Sequence, residues 1–221
     1  MIQFQDWGEV PYNEAWERQE QIFSQTIDRK LQGKATENTM IFCEHPHVYT
    51  LGKSGDEHNL LIDYIQMQAA GAQFVKTNRG GDITYHGPGQ IVGYPVFDLN
   101  SFNIGLKKYI ELLEEVVILT LKDVDIYAER FPGATGVWLD VGKPSARKIC
   151  AIGVRSSRFV TMHGFALNVN TDLTYFSHIN PCGFVDKGVT SVQKELGHSV
   201  DVEMIKSKLK LSFQQVFLIQ K

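Results

Sequence analysis

The chain has 221 residues, of which 43% are hydrophobic and 21% charged, and its net charge is −3. No apolar run reaches the roughly 20 residues a membrane span needs, and the charge gives no general attraction to nucleic acid. The three cysteines form no CxxC pair, and the start lacks a basic segment followed by an apolar one, so the sequence reads as cytoplasmic, with reduced thiols and no disulfide framework.

The first predicted helix is capped by Asn13, carries Ala15, Trp16, Gln19, Ile22, Phe23, Thr26, Ile27 and Leu31 on one stripe, and ends before Gly33. Strands are expected at 39–43, 73–76 and 91–97. A second helix is expected along Leu106, Tyr109, Ile110, Leu113, Val116, Val117 and Leu121. Short strands then crowd the second half, at 136–139, 148–154, 159–162 and 164–169, before a last helix from about 201. This order predicts an α+β fold, with a mixed, largely antiparallel sheet and helices packed on it. The chain reads as a single domain over 1–221, the last helix a small appendage.

Two strands carry small residues on one face. In 148–154 that face holds Ile149, Ala151 and Gly153, and in 164–168 it holds Gly164 and Ala166. Side chains alternate across a strand, so this face leaves room for a ligand or for a closely packed helix. Between Val141 and Thr171 there is no Asp or Glu, yet the run contains Lys143, Arg147, Lys148, Arg155 and Arg158. It reads either as a basic solvated face or as a docking surface for an acidic partner.

The run RGGDITYHGPGQ, residues 79–90, combines four glycines with Arg79 and His86. Glycine admits positive φ and lets a ligand approach the main chain. The run is neither a Walker loop, since the Lys-Ser/Thr ending is missing, nor a dinucleotide fingerprint, since the spacing differs. Farther on, INPCGF (179–184) sets Cys182 between a proline and a glycine. Cys43, His45 and His47 alternate on one side of a strand, but Pro46 and the lack of a fourth ligand argue against a metal, and none is expected. Cys43 reads as core, and Cys150, two positions from Lys148, is expected to share its face.

RGGDITYHGPGQIVGY (79–94) resembles the signature of the lipoyl(octanoyl) transferase family. RKICAIGVR (147–155), HGFALNVN (163–170) and INPCGF resemble three further family blocks in the same order, and HPHVYTLGKSG (45–55) an upstream one. The resemblance implies a fold like the catalytic domains of biotin and lipoate protein ligases. It implies transfer of an octanoyl group from octanoyl-acyl carrier protein to a lysine of apo-lipoyl domains, those of 2-oxoacid dehydrogenases and the glycine cleavage H protein. It places the nucleophile at Cys182 and its partner at Lys148. The substrate-binding residues it implies are Arg79, Gly80, Gly81, Asp82, Ile83, Thr84, Tyr85 and His86, then Ala151, Ile152 and Gly153, then Gly164, Phe165 and Ala166. Asp82 and Cys150 depart from the family pattern.

The residues suit that chemistry. A thiolate attacks, a thiol does not, and an ammonium nearby favours the thiolate. Thioester-to-thioester exchange is nearly neutral and thioester-to-amide transfer is downhill, so no nucleotide or other cofactor is required. Burying about seven carbons of the chain is worth at most about 5–6 kcal/mol, at ~0.8 kcal/mol per methylene. Other readings stay open at this stage. His86 or His178 can stand in as the base of a Cys–His pair, a ligase of the same fold activates a free acid with ATP, and a binding module performs no chemistry.

Overall fold

The computed structural model describes residues 1–180 and 187–218. In it an edge strand, β1 (Ile2–Glu9), leads into α1 (Tyr12–Leu31), then β2 (Asn38–Glu44), β3 (Val48–Leu51), the short α2 (Tyr64–Ala69), β4 (Gln73–Lys76), β5 (Ile83–His86) and β6 (Gln90–Val96). The second half runs α3 (Leu106–Lys122), β7 (Glu129–Phe131), β8 (Ala134–Leu139), β9 (Arg147–Ser157), β10 (Val160–Asn168), β11 (Gly188–Val189), α4 (Val192–Leu196) and α5 (Val202–Leu218). The main sheet has the order β1-β2-β6-β10-β9-β8-β7, with β11 added along β9, and β4-β3-β5 form a second, small sheet. The main sheet is antiparallel except where β1 joins β2 and β11 joins β9. The expected mixed α+β architecture is the one found.

Helices cover both faces of the main sheet, so its central strands are apolar on both sides. Met40, Phe42, Ile91, Phe165 and Leu167 face α3 and α5. The alternate residues Ile41, Cys43, Val92, Tyr94 and Ala166 face α1. The last helix is part of this core: its Ile205, Leu209, Phe213 and Phe217 are buried with α3 residues, and Phe213 and Phe217, stacked on each other, both meet Phe97 edge to face.

Local details differ from expectation for identifiable reasons. The cap of α1 is Pro11, not Asn13; its ring fixes φ at −55°, which starts the helix without a side-chain hydrogen bond. The segments 159–162 and 164–169 are one strand, β10, because His163 keeps its place opposite Val154 although its φ is +58°. Its N–H goes to Gln19 Oε1 of α1, at 3.2 Å. Phe159 is not in the strand: with Arg158 it forms the turn from β9, both at positive φ, the conformation that tight hairpins require.

Gly153 and Gly164 stand opposite each other, as do Ala151 and Ala166, so the small-residue faces coincide across two strands. The space at both glycines is used by protein. A Cβ on Gly153 would meet the Gly80 carbonyl at 2.8 Å, and one on Gly164 would be driven into the Gly93 carbonyl and to 2.5 Å from Pro95 Cδ. Backbone cannot give way as a side chain does. Gly164→Ala is therefore expected to cost about 1–3 kcal/mol, read as a lowered Tm in thermal unfolding, and an unchanged Tm would refute the close approach.

Candidate functional site

The 79–90 run is only half a loop. Ile83, Thr84 and Tyr85 are strand formers and, with His86, they make β5, antiparallel to β3. The preceding glycines are clamped between the two sheets. Gly80 N–H donates to the Val154 carbonyl of β9 at 2.9 Å, and the N–H groups of Lys53 and Ser54 donate to the Arg79 and Gly81 carbonyls. Gly81 has φ +85°, a conformation that strains other residues. Since Gly80 N–H is already engaged, it is not a donor for a developing oxyanion. Asp82 is held by its own strand: one oxygen accepts from Ile83 N–H and the other from Asn59 Nδ2, each at 2.7 Å.

A cavity of about 640 Å³ opens between this clamp, β9, β10 and the start of α3, within the range of small-molecule sites. It gathers Lys148 and the expected binding residues from all three blocks: Arg79 to Thr84 and His86, then Ala151, Ile152 and Gly153, then Gly164, Phe165 and Ala166. Tyr85 is the exception. Its ring belongs to the core of the small sheet, where it stacks on Tyr175 and its hydroxyl meets His47 Nδ1 at 2.7 Å. Strand alternation sends Tyr85 away while its neighbours Thr84 and His86 face the cavity. Tyr12, Gln90, Tyr94, Trp138, His163 and Asn168 also line the cavity and were not singled out by sequence. Gln90, His163 and Asn168 sit inside recognised blocks as polar residues, which is the one signal that pointed to them. Cys182 lies outside the described residues.

Lys148 reaches the cavity with its Nζ 4.7 Å from the centre of the Trp138 ring, a cation–π arrangement. Cys150 does not share this face. In the β8–β9 ladder Trp138 pairs with Lys148 but Val137 pairs with Cys150, so Ile149 is an extra residue, a β-bulge. Alternation is reversed there: Lys148 and Ala151 face the cavity, while Ile149 and Cys150 are wholly buried in the main core. Burial pushes the Cys150 thiol far up, against the smaller opposing effect of Lys148. The expected face of Ile149, Ala151 and Gly153 loses Ile149 for the same reason.

The histidines near the cavity are buried and neutral. Burial lowers His45 to about 4 and His163 to about 3, and carries His86 well below its usual value. His45 sits between the Val10 carbonyl and the Tyr94 hydroxyl, each at 2.7 Å. His86 is held through both ring nitrogens, Nδ1 by Gln90 Oε1 at 2.8 Å and Nε2 by Thr50 Oγ1 at 3.2 Å, and stacks on Tyr12. A ring so engaged is poorly placed to collect a proton as a general base. His178 Nδ1 meets the Tyr49 hydroxyl at 2.8 Å.

The acid-free run is not a bare basic face. Arg147 is bidentate on Glu195 and also bonds Asp140, Lys143 bonds Asp140, and Arg155 reaches Glu20 of α1. Its acids come from elsewhere in the chain.

The lipoyl protein ligase A/B catalytic domain model matches residues 11–214. An octanoyltransferase of Bacteroides fragilis is 57% identical over 204 residues, 92% of each chain, and one of Christiangramia forsetii is 55% identical over 98% of this chain and 95% of its own. The chain belongs to the octanoyltransferase family. It is an acyltransferase. The fold is shared more widely. A bipartite lipoate protein ligase of Thermoplasma acidophilum superposes with TM-score 0.72 at 18% identity, covering 98% of this chain and 84% of that one. Biotin protein ligase of Aquifex aeolicus gives 0.51 at 11% identity, covering 97% and 67%. The octanoyltransferase relatives, three times as similar in sequence, favour octanoyl transfer over the ATP-dependent alternative. The sequence blocks that resemble the family's pattern at 79–86, 151–153 and 164–166 meet around the cavity.

Proposed function

We propose that this octanoyltransferase takes its acyl group from octanoyl-acyl carrier protein onto Cys182 and passes it to a lysine of an apo-lipoyl domain. The Cys182 thiolate attacks the donor thioester, the carrier thiolate leaves, and the Lys148 ammonium supplies its proton. The acceptor amine then attacks acyl-Cys182. Its proton returns to neutral Lys148 and the Cys182 thiolate is released as the amide forms. The acceptors are the lipoyl domains of 2-oxoacid dehydrogenases and the glycine cleavage H protein, and the reaction belongs to the cytoplasm. Among the described residues no helix is long and apolar enough to cross a membrane.

The observation that carries the reading is the convergence of Lys148 with three acyl-binding blocks on one cavity. Its apolar part, where Val92, Ala151 and Ala166 stand side by side on one face of the sheet, suits a hydrocarbon chain. The test is incubation with octanoyl-acyl carrier protein and apo-lipoyl domain without nucleotide. Amide-linked octanoyl on the acceptor is expected. Product only with ATP and free octanoate would replace the reading by a ligase.

A further inference from the structure

A directed chain of hydrogen bonds runs beside the cavity and joins the small sheet to the main one. Arg79 donates through Nη2 to Thr50 Oγ1 at 3.0 Å, and Thr50 Oγ1 donates to His86 Nε2 at 3.2 Å. His86 Nδ1 donates to Gln90 Oε1 at 2.8 Å, and Gln90 Nε2 donates to Asn168 Oδ1 at 2.9 Å. Asn168 Nδ2 then donates to the Thr190 carbonyl at 3.0 Å. The directions are fixed at the two amides. Gln90 Nε2 also donates to the Tyr85 carbonyl, so its oxygen is the side that faces His86. Asn168 donates to a carbonyl, so its oxygen is the side that faces Gln90.

Every side chain in this chain is buried, from Thr50 at 0% exposure to Arg79 at 7%. Gln90 and Asn168 are directly paired in register across β6 and β10, and both line the cavity. The far end touches the Lys148 strand: Thr190 N–H donates to the Lys148 carbonyl at 2.9 Å, and Val189 pairs with Lys148 in the parallel β11–β9 ladder. Bonds of one direction, starting at a guanidinium in a dry interior, polarise and stiffen one another.

We propose that Gln90 and Asn168 are positioning residues that register the Lys148 strand against the acyl-binding loop of Arg79 and His86. The proposal rests on the reading of Lys148 as the partner of the nucleophile. The Arg79–His86 loop leads into the small sheet and Lys148 stands in the main one, and this amide pair is a buried polar link between them. Its loss displaces one relative to the other while leaving each intact.

Near-isosteric replacements test it. Gln90→Glu keeps an acceptor for His86 but removes the donor to Asn168, and Asn168→Asp removes the donor to Thr190. Each variant is assayed by single-turnover acylation from octanoyl-acyl carrier protein and by steady-state transfer, with thermal unfolding alongside. The expected result is a roughly 10- to 100-fold lower acylation rate at saturating donor, with KM for the donor within about twofold. The double variant is expected to be no slower than the worse single one, since both act through one link. Wild-type rates in the folded single variants would overturn the proposal, as would a raised KM with unchanged kcat, which marks simple substrate contacts. So would full additivity of the two losses. If instead Lys148→Ala itself turns over at the wild-type rate, the underlying reading fails whatever the amide variants do.

Discussion

Cys182→Ser is expected to abolish octanoyl transfer, lowering kcat by about three orders of magnitude or more. It is also expected to remove the octanoyl adduct that mass spectrometry detects on the wild-type protein after exposure to octanoyl-acyl carrier protein without acceptor. The physical reason is the nucleophile's acidity. A cysteine with a pKa of ~8.5 is a few per cent thiolate at neutral pH and is intrinsically reactive, whereas a serine hydroxyl needs a far stronger base. Cys150→Ala supplies the control. The Cys150 thiol is completely buried among Val137, Leu167 and their neighbours, and burial holds it protonated, so its removal should leave turnover near wild type. An adduct that persists in Cys182→Ser, or a loss in Cys150→Ala as large as that in Cys182→Ser, would overturn the assignment.

Lys148→Ala is expected to lower kcat by about 10²–10⁴-fold, the usual worth of one general acid–base group. Two effects combine in that figure. Without the ammonium, less of the Cys182 thiol is ionised at neutral pH, and the departing carrier thiolate has no proton donor. They separate experimentally. Alkylation of Cys182 by iodoacetamide, followed against pH, should move to higher pH in the variant. The acylation rate should fall by more than that shift explains. Because Lys148 Nζ lies over the Trp138 ring, Lys148→Arg keeps the cation–π contact and tests whether charge alone suffices. Full activity in Lys148→Ala would end the proposed role.

The architecture was legible from periodicity because central strands and long helices carry strong patterns. The stripes at Leu106–Leu121 and from Val202 became α3 and α5, and β4 has the boundaries its composition predicts. Short or exposed elements left no such pattern. β1 alternates little because it is an edge strand, and β11 is two residues long, held by its partner β9 rather than by its own composition. β5 was hidden by its glycine neighbours. At the site, the blocks identified the cavity wall, but three features lay beyond a linear reading. Tyr85 leaves the wall by alternation. Arg147 and Arg155 find their acids, Glu195 and Glu20, only in space. His163 occupies the left-handed region in mid-strand, a conformation no histidine advertises, and it is sustained by Gln19 and Asn78 from outside the sheet.

The extra residue at Ile149 has a chemical consequence. An enzyme that handles thioesters is vulnerable to any second thiol within reach of the bound acyl group, because exchange between thiols is nearly isoenergetic. Position 150 is where such a rival would sit, two residues from an ammonium that would activate it. By turning the strand once, the bulge leaves the ammonium at the cavity and withdraws the sulfur into hydrocarbon. Were the strand regular with Ile149 kept in the alternation, Cys150 would turn to the Lys148 face and offer the acyl group a second sulfur.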